Sequence, residues 1–246
     1  AAYRAADGAR QKPAISYLLA KARALADKVN QPHAQALTTL MSGVSRVILG
    51  EFREAIPLCD QAGTELREKC TGVAWELDNA AFFAGFSLLA CGRVRDLAQR
   101  LPELIENARS RGDLYGEVLL RLQCAWFVAL ARDDVAKAEA ELAVVTDEWS
   151  KDRFLLQNAW RLVNAIEVHL YKDEPERAIE EIDLTWQRLE ESMFLRAASM
   201  RARMHNAVGR AALAAYDATK DEAHLDRAAR AAGIVAPVKW PLARGF

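Results

Sequence analysis

Residues Cys70 to Gly85 read CTGVAWELDNAAFFAG and set Glu76, Asp78 and Asn79 within four positions of Trp75. Such a group could hold a ligand through its polar atoms, or it could cap and pack a helix at a seam between elements. Other residues with chemical potential are more scattered. Cys59, Cys70, Cys91 and Cys124 contain no C-x-x-C pair, and His33, His169, His205 and His224 form neither H-E-x-x-H nor E-x-x-H. Neither a zinc site, a di-iron site nor a disulfide framework is expected. No G-x-S-x-G elbow marks a nucleophile, so no catalytic residue, cofactor or metal is assigned and the chain itself is not read as an enzyme. Arg111, Gly112 and Asp113 spell RGD, but the triplet stands between two helical patterns. Gly112 is expected to end one helix at positive φ and Asp113 to cap the next.

The elements that must position these residues follow from composition and spacing. The 246 residues carry 33 basic and 34 acidic side chains, so no long-range field favours nucleic acid or an anionic membrane. The longest apolar stretch, Ala80 to Cys91, is interrupted by Gly85 and Ser87 and is too short for a membrane span. With no signal peptide and no disulfide pattern, a reduced cytoplasmic setting is expected. Scarce glycine (12) and proline (7) amid abundant alanine, leucine, glutamate and arginine favour helix nearly throughout. The first residues, AAYRAADGAR, lack a methionine, and the last, PVKWPLARGF, stop where another helix would follow, which reads as a fragment of a longer protein.

The helix breakers recur. Helix starts align on Ala14, Ala55, Leu97, Ala138, Ala178 and Ala228, in steps of 41, 42, 41, 40 and 50 residues. A second series of breaks near Asn30, Cys70, Ser110, Ser150 and Glu190 divides each unit into helix, turn, helix. Each helix carries an apolar stripe, such as Leu101, Leu104, Ile105 and Ala108, that a lone hairpin cannot cover. Stacked hairpins can. The expected fold is therefore all-α, a right-handed α-solenoid of about five helical hairpins forming one domain over residues 1–246. Pro13 and Pro175 suit the first turn of a helix. Pro57 and Pro102 fall deeper, where a kink or a late start is expected.

The segments VILGEFREAIPLCDQA and HLYKDEPERAIEEI resemble the tetratricopeptide signature, although the units are longer than that family's 34 residues. Across most of the chain, ELREKCTGVAWELDNAAFF, LPELIENARSRGDLYGEVLLR and RDDVAKAEAELAVVTDEWSKDRFLLQNA are similar to the C-terminal helical region of large bacterial serine/threonine kinases. In those proteins a kinase domain, often with an AAA-type ATPase module, precedes the repeats. The kinase's own glycine-rich loop, catalytic loop and D-F-G motif are absent. The resemblance implies a sensory or regulatory appendage.

It also implies that the first helix of each hairpin lines a concave face, near residues 33–49, 73–90, 113–131, 154–171 and 194–218. Two rows of polar residues recur there at the repeat interval: Gln35, Glu76, Glu117 and Gln157, and one turn later Thr38, Asn79, Arg121, Arg161 and Arg201. As a ladder they would bind a protein or peptide, or another domain of the same polypeptide. The alternative is an ordinary solvated face in which Glu117 and Arg121 form an i,i+4 pair worth a few tenths of a kcal/mol. Trp75 is expected to pack between hairpins, with Thr71 or a nearby carboxylate capping its helix, and Trp126, Trp149, Trp160 and Trp186 to lie in the core. A second functional class, a small-molecule sensor, would use a closed pocket lined by Trp75, Phe83 and Trp126.

Overall fold

A computed structural model describes residues 11–144 and 153–238. Within them the chain is helical with no strand. The order is α1 (Lys12–Val29), α2 (Pro32–Ile48), α3 (Phe52–Lys69), α4 (Ala74–Ala90), α5 (Val94–Ser110), α6 (Leu114–Leu120), a π-helical turn (Arg121–Ala125), and α7 (Trp126–Leu130). It continues with α8 (Val135–Leu142), α9 (Leu156–Tyr171), α10 (Pro175–Glu191), a 3-10 turn (Phe194–Arg196), α11 (Ala198–Thr219) and α12 (Glu222–Val235). The fold is all-α and solenoid-like. The chain divides into two compact units, one ending at Val128 and one beginning at Ala129.

Within each unit, helices pack in chain order. In the first, α1 through α6 each touch the next, and the leading helices of successive hairpins also meet, α2 with α4 and α4 with α6. In the second, α8 through α12 do the same, and α9 meets α11. The repeat phase is buried throughout: Ala55, Leu97, Ala138, Ala178 and Ala228 are all withdrawn from solvent. The four alanines at that phase let helix axes approach closely, and Leu97 fills the same place in α5.

The turns inside hairpins share one hydrogen-bond pattern. Gly50 N–H donates to Val47 O and Glu51 N–H to Arg46 O, and the same pair of bonds recurs at Gly92 and Arg93, at Asp133 and Asp134, and at Asp173 and Glu174. Each first-named residue has positive φ: 79° at Gly50, 70° at Gly92, 60° at Asp133 and 59° at Asp173. This left-handed termination satisfies the last carbonyls of one helix and reverses the chain into the next.

Pro57 and Pro102 lie inside α3 and α5, and neither helix starts late. Both prolines are exposed. The core stripe of α5 is as expected, with Leu101 and Ala108 buried and Leu104 and Ile105 packed against them. In the second unit Leu162, Ile166, Ile182, Leu189 and Met204 form the main cluster. Trp126 is buried, Trp160 and Trp186 are partly so, and Trp149 lies outside the described residues, as do the break at Ser150 and the last eight positions.

Candidate functional site

The leading helices of the first unit carry the polar rows on half-buried side chains. Most of these groups are already engaged. On α2, Thr38 donates to its own helix at Ala34 O, 2.7 Å, and Asn79 on α4 donates to Trp75 O at 2.7 Å. Glu76 reaches across to His33 at the start of α2, 2.8 Å, joining two successive hairpins. Glu117 on α6 accepts from Arg109 at 2.8 Å and from Arg121 at 3.4 Å. The Arg109 hydrogen bond, aided by Arg121, holds the Glu117 carboxyl below its usual range. Gln35 is half-buried beside Thr38.

In the second unit Gln157 and Arg161 sit on α9 and Arg201 on α11. Arg161 is turned to Glu181 of the following helix α10, and Arg201 donates to Leu195 O in the preceding turn, 3.1 Å. Five of the nine residues thus share the first unit's α2, α4 and α6, Arg121 opens the π-helical turn that continues α6, and three share α9 and α11. The i,i+4 pair of Glu117 with Arg121 is present, but Arg109 makes the shorter bond.

Trp75 does not pack between hairpins: it is 55 % exposed. It is the second residue of α4, where no earlier turn exists to pack against a neighbour. The ring contacts of this helix join Phe82 to Phe83 at 4.7 Å and Phe86 to Phe52 of α3 at 6.0 Å. Thr71 does not cap α4 either. The N-cap is Val73, with no side-chain cap, and Gly72 turns the chain at φ 69°. The RGD segment behaves as its sequence requires, with Gly112 at φ 67° and the Asp113 carboxylate accepting from Gly116 N–H at 3.0 Å.

The residue of this stretch that sequence reasoning passed over is Asp78. It is 4 % exposed and faces the turn between α5 and α6. Arg111 donates to Asp78 Oδ1 at 3.2 Å and to Asp113 Oδ2 at 3.3 Å. A Cβ on Gly116 would stand 2.5 Å from Asp78 Oδ1, so only glycine leaves room for that carboxyl. Burial, then the hydrogen bond and charge of Asp113, raise Asp78 to about 7 against the opposing pull of Arg111. Burial would also raise Asp113, but the Gly116 N–H, the Asp78 carboxyl and Arg111 outweigh it and hold Asp113 low. Below about pH 7 the pair holds one proton, favoured on Asp78. The signal was present: Asp78 occupies the apolar phase of its helix, seven residues before Gly85 and ten before Leu88.

The second unit has its own buried polar link, Arg203 donating to Asn164 at 2.8 Å, with Asn164 fully buried. Among the described residues no group of histidines, cysteines and carboxylates could hold a metal. Burial, with the Asp60 charge, pushes the Cys59 thiol up to about 12, and burial pushes Cys124 up to about 12. Neither is a ready nucleophile. The four cysteines are unpaired. No helix among the described residues is long and apolar enough to cross a membrane.

A cleft of about 310 Å³ opens between α3, α4 and α5. Gly63, Ala84 and Gly85 contribute to its floor, and Asp60 and Arg100 line it while pairing at 3.0 Å. Trp75, Phe83 and Trp126 do not line it, so this cleft is not the aromatic pocket expected from the sequence.

No family model matches the chain. No curated protein matches it. Among solved structures, the crystal structure of BtubC (BKLC) from P. vanneervenii is similar to it, with a TM-score of 0.63 and 17% sequence identity over 93% of this chain and 92% of that one. At that identity the likeness is one of fold. It carries no site residue from one protein to the other.

Proposed function

We propose that this chain is a protein-interaction domain whose leading-helix faces receive a peptide or a partner helix, as a sensory or regulatory part of a larger protein. The observation that supports the reading is the stacking of α2 on α4 and α4 on α6, which places Gln35, Thr38, Glu76, Asn79, Glu117 and Arg121 on adjoining helices at a fixed interval. Glu117 lies between two arginines, and exposed Trp75 begins the central helix of the three. Exposed aromatic and charged side chains on one run of helices are common chemistry at protein interfaces. Gln157, Arg161 and Arg201 would extend the same role to the second unit. Attachment to a bacterial serine/threonine kinase in the cytoplasm belongs to this proposal and rests on the resemblance of the repeat segments.

The test is binding to an arrayed peptide library. Changing Glu76 and Arg121 together to alanine abolishes binding of the selected peptides while circular dichroism stays unchanged; undiminished binding rejects the face. A second reading, a small-molecule sensor, is supported by the cleft between α3, α4 and α5, whose volume is at the lower end of ligand sites. Ligand-dependent rises in Tm across a metabolite set, lost in Gly63→Leu, would favour it.

A further inference from the structure

The first described helix departs from the repeat it belongs to. By the repeat interval, Leu18 of α1 corresponds to Cys59 of α3 and Leu101 of α5, and Leu25 corresponds to Leu66 and Ala108. The internal members are covered: Cys59 is buried among Leu40, Val44, Ala80 and Ala84, and Leu66 with Ala36 and Val73. The α1 members are open. Leu25 is 60% exposed against 0% for Leu66 and 1% for Ala108, and Leu18 is 39% exposed. Tyr17, Lys21, Leu25 and Val29, at four-residue steps, continue this open stripe along the whole helix, and its three large apolar members are more than half exposed.

Charge on this face is of one sign. Lys21 and Lys28 lie in the stripe, and neither forms an ion pair with a described residue; Lys21 Nζ rests 5.3 Å from the Tyr17 ring centre. Of the other charges of α1, Lys12 pairs with Glu51 and Arg23 donates to Thr39 on α2, while Asp27, its one acidic residue, is exposed two positions after Leu25 and therefore turned away from the stripe. Lys21 also departs in kind. Its counterpart in α3 is Ala62, fully buried between neighbouring helices. An ordinary repeat helix laid on α1 would bury that ammonium without a partner, a costly arrangement.

We propose that the outer face of α1 is a docking surface for an acidic amphipathic helix of a partner protein. Its apolar stripe takes the place that Ala36, Leu40 and Val44 of α2 hold over α3, and its carboxylates meet Lys21 and Lys28. This surface is distinct from the leading-helix face, so the two stand or fall separately.

The test uses two synthetic eighteen-residue helical peptides with alanine, leucine and valine at four-residue steps, one flanked by glutamates and the other by lysines. The glutamate peptide binds the whole chain, and the lysine peptide binds roughly tenfold or more weakly. Leu25→Asp, at an exposed position, removes binding while helicity is kept. Lys21→Glu with Lys28→Glu reverses the preference between the two peptides. Equal binding of both peptides, failure of the glutamate peptide to bind, or an unchanged preference in the charge-reversed variant overturns the proposal. Self-association in sedimentation that Leu25→Asp abolishes overturns it in favour of a second copy of this chain.

Discussion

The turns inside the hairpins of the two units perform the same task with different residues. In the first unit the left-handed position is glycine, at Gly50 and Gly92; in the second it is aspartate, at Asp133 and Asp173. The two backbone hydrogen bonds are the same in all four. An L-residue with a Cβ pays about 1 kcal/mol or more for this conformation, which glycine adopts freely. The second unit surrounds its turns with polar links that offset part of that cost. Tyr171 donates its hydroxyl to Asp133 at 2.8 Å, Asp134 caps α8 by accepting from Lys137 N–H at 3.1 Å, and Lys172 joins Glu139 and Glu174, each at 2.9 Å. A repeat therefore conserves a backbone geometry more strictly than the residue that supplies it.

Breaking the geometry gives the largest effect. Gly92→Val places a β-branched side chain at φ 70° and should cost about 2 kcal/mol, read as a lowered midpoint in urea denaturation. A midpoint within error of the parent would mean that the turn relaxes, and that the contrast between the units is not energetic.

The next effect concerns the turn between α5 and α6. Asp78 binds its proton more tightly folded than unfolded, so its contribution is fully present below the ordinary value of 3.8 and is lost as pH rises to about 7. The expected loss is about 2 kcal/mol across that window, after allowance for coupling to Asp113. Asp113, held low, acts in the opposite sense, its contribution falling as pH drops through its depressed range. Asp78→Asn should remove the decline between pH 4 and pH 7 and keep the fold at pH 8, because an amide still donates to Asp113. A parallel decline in the variant would place the titration elsewhere.

The smallest effect sharpens the comparison from the other side. Asp173→Gly should stabilise the chain by about 0.5–1 kcal/mol, since it removes the cost of a side chain at φ 59°. The same change at Asp133 should gain less, because it also deletes the acceptor of the Tyr171 hydroxyl. Equal gains at both positions would show that this hydroxyl bond adds nothing net.

Much of the fold could be read before any coordinates, because spacing alone carries it. The breaks at Gly50, Cys91, Arg132 and Lys172 anticipated four turns, and Ala55, Leu97, Ala138 and Ala178 marked the helix starts that follow them; that the turns share one geometry and that those four residues are buried came from the structure. The site was less legible. Trp75 looked like core because tryptophan usually is, yet its place in the first turn of α4 leaves it without a covering neighbour. Asp78 looked like one acid among several, because its meaning depends on Arg111 and Asp113, 33 and 35 residues away.

What the sequence determined by itself was periodic: which segments are helical, where the chain reverses, and that each apolar stripe needs a neighbouring repeat. Those properties depend on residues within a few turns of one another. Only the tertiary structure decided which polar groups were withdrawn from water and which apolar ones stayed in it. Burial is set by the helix that arrives from the next hairpin, and that arrival gives Asp78 its proton while leaving Leu25 open to solvent.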